Sequence, residues 1–190
     1  DLPNGHFALS PDGMTVDYGL EQGGQRPFRF DALAGTLTAD PDPQPGFARP
    51  VTAAAGLSVT GWRNGRAPQV NGHPVALDSG ETARSATVLP DGSAVLLGAE
   101  FSLRLIGMDG AEWARAAVPA AVWGVVAAAD GRVAVAALGD GTLRWFALTG
   151  PQPLTELAAF FPHRDGRRWV IWTPEAFFAR FLVVNYCPLA

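Results

Sequence analysis

The chain has 190 residues, a formal net charge of −4, and 48% hydrophobic against 17% charged residues. That balance describes one globular domain with material for a core, and it excludes a disordered chain. It also argues against general affinity for nucleic acid or an anionic membrane.

No apolar run approaches the roughly 20 residues of a membrane span. The 14 Lys and Arg residues are all Arg. Cys187 is the one cysteine, which rules out an internal disulfide framework and makes the cytoplasm the simplest compartment. The first residue is Asp1, so a piece of a longer protein or a processed product is expected.

In chain order, residues 7–16 read as strand, turn, strand around Ser10-Pro11-Asp12-Gly13. Pro41, Pro43 and Pro45 then force a loop, because proline donates nothing to a ladder. Residues 57–65 repeat the first pattern in degenerate form with Asn64-Gly65 as the turn, and Asn71-Gly72 predicts a hairpin. Residues 87–97 repeat it around Pro90-Asp91-Gly92, with a further turn at Met108-Asp109-Gly110. Three apolar runs, 125–129, 133–138 and 143–148, are joined by Asp130-Gly131 and Gly139-Asp140-Gly141, and a fourth covers 154–161. Asp-Gly between short apolar runs predicts a tight primed turn, whose positive φ glycine adopts cheaply.

Asp91 and Asp130 are 39 residues apart, and Asp12 and Asp91 are 79 apart, two such intervals. Four short antiparallel strands in about 40 residues make one β-propeller blade. The fold class expected is therefore all-β, with about four blades over 3–38, 51–78, 84–118 and 122–161. One extra strand, 168–172, extends the partial propeller to 3–172 and reads as the start of a fifth blade. Over 173–190 a short C-terminal helix and tail are expected. Thr173-Pro174-Glu175 suits a helix start, and Phe177, Phe178, Phe181 and Leu182 would share one face.

The repeated Pro-Asp-Gly turn and the run Gly141-Thr142-Leu143-Arg144-Trp145-Phe146 resemble bacterial WD40-like β-propellers in a divergent form, without Gly-His or Trp-Asp signatures. The segment 161–175 resembles the region that closes such propellers, some of which are fused to caspase-like protease domains. That resemblance implies a scaffold that regulates or targets an associated enzyme domain. No caspase-like His/Cys pair can be placed on this chain.

No residue pattern points to catalysis, a cofactor or a metal. Isolated Asp-Gly pairs do not supply the six to eight converging oxygens of a calcium site. His163 and Cys187 lack an orienting partner, and His6 and His73 fall in turns. Candidate partner-binding residues are the basic cluster Arg164, Arg167 and Arg168 beside Trp169, and the stripe bearing Phe177 and Phe181. Most of the six tryptophans are expected between blades, with one or two exposed on a ring face as binding hot spots.

The expected partners are a protein or peptide, with no nucleic acid and no membrane. A missing N-terminal propeller segment or a second copy would cover the apolar edges that a partial ring exposes. The function expected is a non-enzymatic protein–protein interaction scaffold. The alternative is the non-catalytic half of a propeller hydrolase with its active site in the ring channel.

Overall fold

The structure is a computed structural model that describes residues 6–54, 56–175 and 178–181. Its strands form four antiparallel meanders. Sheet 1 runs β1 (Ala8–Leu9), β2 (Thr15–Glu21), β3 (Gln25–Asp31), β4 (Thr36–Ala39). Sheet 2 runs β5 (Ala53–Ala54), β6 (Leu57–Thr60), β7 (Gln69–Val70), β8 (His73–Pro74). Sheet 3 runs β9 (Ser85–Val88), β10 (Ala94–Gly98), β11 (Ser102–Gly107), β12 (Glu112–Ala117). Sheet 4 runs β13 (Val122–Ala127), β14 (Val133–Leu138), β15 (Leu143–Ala147), β16 (Thr155–Pro162), and continues through β17 (Trp169–Trp172) and β18 (Phe178–Phe181).

The Asp-Gly hairpins share one device, which differs from the primed turn expected. In the turns at 12–13, 91–92, 130–131 and 165–166 only the glycine has positive φ; the aspartate does not. The Gly131 amide donates to the Ala128 carbonyl at 2.9 Å, and the Ala128 amide donates to Val133 at 2.8 Å, so the turn is wider than two residues. Each aspartate side chain accepts a bond from the amide two residues on: Met14 N–H donates to Asp12, Ser93 N–H to Asp91, Arg132 N–H to Asp130 and Arg167 N–H to Asp165. That self-capping suits Asp to this place. Asn71-Gly72 does form the primed turn, with φ of 49° and 83°. Asn64-Gly65 is not a hairpin turn: β6 and β7 are joined by the loop 61–68, and Gly65 bridges to Ala83 instead.

Three apolar clusters join the sheets. Leu57, Val59 and Val70 of sheet 2 pack on Val95, Leu97 and Ile106 of sheet 3. Leu96, Leu103 and Leu105 of sheet 3 pack on Val125, Ala136 and Phe146 of sheet 4. Leu9, Val16 and Phe30 of sheet 1 pack on Val135, Trp145 and Phe160 of sheet 4. The order in space is therefore 2–3–4–1, with the first sheet of the sequence against the last. First strands meet, β9 against β13, β13 against β1 and β5 against β9, so they converge on one axis. The connection 40–52 pairs with two of them on its way: Ala48 bridges Leu9, and the Val88 amide donates to Val51.

Strands β9, β10 and β11 of sheet 3 and β14 of sheet 4 are buried on both faces, which explains their nearly unbroken apolar runs. The outward faces of sheets 1 and 2 are different. Sheet 1 presents Asp17 and Arg29 in a bidentate pair at 2.6 and 2.7 Å, with Phe47 of the connection stacked 5.1 Å from the Arg29 guanidinium. Sheet 2 presents Ser58, Thr60, Gln69 and Pro74. Both terminal sheets thus end the array with polar faces, as capping repeats do.

Two expectations at the C-terminal side are corrected. The strand at 169–172 does not begin a fifth blade; it pairs with β16 as the fifth strand of sheet 4. Phe178–Phe181 is a strand paired with β17, not part of a helix. An isolated short helix is marginal in water, whereas Trp169-Val170-Ile171-Trp172 is a strong β-forming run with an open edge to pair against. Phe177, Leu182 and Cys187 lie outside the described residues.

Candidate partner-binding face

Alternation along each meander puts the turns at Asp12, Asp91, Asp109 and Asp130 at one end of the sheets, and a second set of loops, with the turns at Asp140 and Asp165 among them, at the other. That second end carries the loops 61–68, 99–101 and 139–142 and the connections 118–121 and 163–168.

Its centre is Trp123 on first strand β13. The pairing of β13 with β14 shifts register between Val122 and Gly124, so Trp123 is the extra residue of a bulge. The bulge breaks alternation and aims the indole outward, leaving Trp123 43% exposed. The Arg84 guanidinium lies 5.0 Å from the ring centroid. Arg84 Nε donates to Glu100 Oε2 at 2.8 Å, and its Nη1 donates to Asn64 Oδ1 at 2.6 Å. The cation is therefore fixed before any partner arrives. A Cβ on Gly139 would lie 2.9 Å from Trp123 Nε1, so this glycine makes room for the indole. Phe101 is 60% exposed in the neighbouring loop, and Phe161 is exposed where its ring meets Gly141.

The residues singled out from sequence divide. Arg164 and Arg167 are exposed on the turn between β16 and β17. Arg168 is exposed too, but its Nε donates to Asp165 Oδ2 at 2.6 Å. Trp169 is buried against sheet 1, with its ring centroid 4.9 Å from that of Phe30, so it packs the core and offers no binding surface. Of Phe181 only the backbone position is described, opposite Trp169.

Trp145 is buried between sheets and Trp113 is exposed on edge strand β12. The sequence shows Trp123 as one tryptophan among six; the glycine after it is the local sign of the bulge. A second regularity passes unnoticed in sequence. Arg104 and Arg144 take the same place on third strands β11 and β15; each donates to a hydroxyl two residues back, Ser102 or Thr142, and meets a carboxylate of the next strand, Glu112 or Glu156.

Among the described residues no three His, Cys, Asp or Glu side chains group as metal ligands. First strands β1, β5, β9 and β13 carry no acid and no histidine.

No protein-family model matches this sequence, and no curated protein matches it. Among solved structures it is similar to the β-propeller domain of Cps50 (Swd1) from Myceliophteria thermophila, at TM-score 0.43 and 13% identity, covering 92% of this chain and 71% of that one. It is similar also to a functionally unknown protein from Desulfotomaculum acetoxidans DSM 771, at TM-score 0.40 and 14% identity, covering 94% and 71%. U3-55K matches at TM-score 0.36 and 13% identity, covering 53% and 38%. Four-stranded meanders packed face to face around converging first strands decide the architecture. It is a β-propeller-type fold.

Proposed function

We propose that this chain is a non-enzymatic scaffold that takes a protein or peptide segment on the ring face around Trp123. The observation that carries this is the indole itself, pushed outward by a bulge and backed by an arginine already held by Glu100 and Asn64. Rigid, half-exposed tryptophans backed by a cation act as interface anchors, because little side-chain freedom remains to be lost on binding. An associated enzyme domain, such as the caspase-like protease implied by the resemblance, is one class of partner.

The hydrolase alternative has no support in the strands nearest the axis, which bear small and apolar residues with Trp123, and neither acid nor histidine. Completion by a missing N-terminal segment or a second copy would have to pack on the Asp17–Arg29 face or on the Ser58, Thr60 and Gln69 face. Their polarity favours an array stable without either. The single cysteine and mild net charge fit the cytoplasm.

Selection from a displayed random-peptide library tests the scaffold reading. Enriched peptides should lose binding to Trp123→Ala and keep it to Leu33→Ala, an exposed residue outside this face. No enrichment, or equal loss with both variants, overturns the assignment.

A further inference from the structure

We propose that the turn 163–168 and Arg26 together form a receptor for an acidic peptide segment, continuous with the face around Trp123; this rests on the scaffold reading above. Five guanidinium groups of the chain are committed to carboxylates: Arg29 to Asp17, Arg84 to Glu100, Arg104 to Glu81, Arg115 to Glu112 and Arg144 to Glu156. Arg164 and Arg167 are different. Both are exposed, and among the described residues neither has a carboxylate partner.

A third cation comes from far away in the sequence. Arg26 Nη1 donates to the Arg164 carbonyl at 2.9 Å, and its side chain remains 44% exposed. Glu21 approaches Arg26 only to 4.0 Å. Asp165, the one acid of the turn, is already occupied. Its Oδ1 accepts the amides of Arg167 at 2.9 Å and Arg168 at 3.0 Å, and its Oδ2 accepts Arg168 Nε. The amides of Arg168 and Arg167 hold that carboxyl well below the ordinary range, so it stays ionised and tied to its own turn.

The turn is also fixed in place. Gly166 has φ 68°, and a Cβ there would lie 2.5 Å from Phe28 Cζ of sheet 1. Arg164 and Arg167 therefore project from a backbone clamped between sheets 1 and 4.

An acidic peptide suits this patch better than nucleic acid does. The chain carries net charge −4 and lacks the long basic track that a phosphate backbone requires. Planar guanidinium forks match carboxylates in pairs. Phe161, two residues before the turn, links the cations to Gly141, whose loop also touches Trp123. The fitting segment is acidic with a neighbouring apolar or aromatic residue.

The experiment is fluorescence anisotropy of a labelled oligoglutamate peptide ending in Phe-Leu, across a salt series, on the full chain. Wild type should bind, more weakly as salt rises, and the Arg164→Gln/Arg167→Gln double variant should lose about tenfold in affinity. An unchanged thermal unfolding curve shows that the variant is folded. Undiminished binding by the double variant overturns the proposal, as does no binding at all. Equal binding of a labelled oligothymidine through the same arginines overturns it too. Loss with the arginine variant and none with Trp123→Ala sustains the acidic receptor and removes the Trp123 face; the reverse pattern does the opposite.

Discussion

The indole Nε1 of Trp145 donates to the backbone carbonyl of Gly13 at 2.8 Å, across a sequence separation of 132. One side chain of the last sheet thereby holds the first turn of the first. The site is tight, since a Cβ on Gly13 would lie 3.0 Å from Val133 Cβ. Trp145→Phe keeps most of the apolar contact and leaves the Gly13 carbonyl without its donor. The expected cost is about 1–3 kcal/mol, read as a lower urea midpoint with an unchanged m value. A midpoint equal to wild type would mean that this bond does not hold sheets 1 and 4 together.

Arg104 is fully buried yet makes five polar contacts. It donates to Glu81, Glu112, Ser102 and the Ala76 carbonyl and faces Asp78 at 3.4 Å, which ties the connection 75–84 to β11. Burial pushes the Glu81 carboxyl up. The Ser102 hydroxyl, the Asp78 amide and Arg104 outweigh it and bring it below its ordinary value near 4.5. A depressed acid contributes stability above its unfolded value and loses it as pH falls through the folded one. The urea midpoint of wild type should therefore fall below about pH 4.5. Glu81→Ala should cost about 1–3 kcal/mol at neutral pH, because Arg104 keeps Glu112 and Asp78 but loses its one buried carboxylate, and should flatten the acid limb. An acid limb identical in the variant would assign the pH dependence to other carboxylates.

The sequence exposes the parts of the fold that local chemistry determines. Strand β14 falls where the apolar run 133–138 places it, and Asn71-Gly72 makes the primed turn that two left-handed residues require. The Asp-Gly turns are located correctly and mistyped, because the capping bond from Asp Oδ1 to the next-but-one amide widens the loop. What fails is whatever depends on a distant partner. The Phe178–Phe181 segment has helical spacing, but the open edge of β17 decides its conformation. Trp169 stands beside three arginines in sequence, while Phe30, brought over from sheet 1, buries it. The exposure of Trp123 depends on a one-residue bulge, which apolar patterning does not reveal.

Tyr18 is 4% exposed among aromatic neighbours Phe28 and Phe160, and its hydroxyl has no hydrogen-bond partner among the described residues. Burial raises its ionisation far above the ordinary range, so the phenol is neutral at any working pH. An unpartnered buried hydroxyl costs about 1–3 kcal/mol. Tyr18→Phe removes it with no change in ring packing, so the variant should be equally stable or more stable, by up to about 1 kcal/mol. Calorimetry checks this; a clear loss of stability would reveal a partner for the hydroxyl.

The solution mass of the chain follows from the Asp17–Arg29 pair and from Ser58, Thr60 and Gln69. The Asp17–Arg29 pair is already covered by Asp42 and Phe47 of the connection, so a further blade or a second copy would have to displace that segment at the sheet 1 end, or desolvate Ser58, Thr60 and Gln69 at the sheet 2 end. Taking polar groups out of water costs more than such contacts return unless new partners replace the solvent. Each terminal sheet already buries its apolar side inward, Val16 and Phe30 in one case and Leu57 and Val70 in the other. Light scattering after gel filtration should therefore give a mass near 20.0 kDa with one cooperative unfolding transition. Thr60→Leu with Gln69→Leu turns the exposed sheet 2 end apolar, and that variant should self-associate. A dimer of the wild-type chain, or a double variant that stays monomeric, would show that the outer faces of the terminal sheets do not control association.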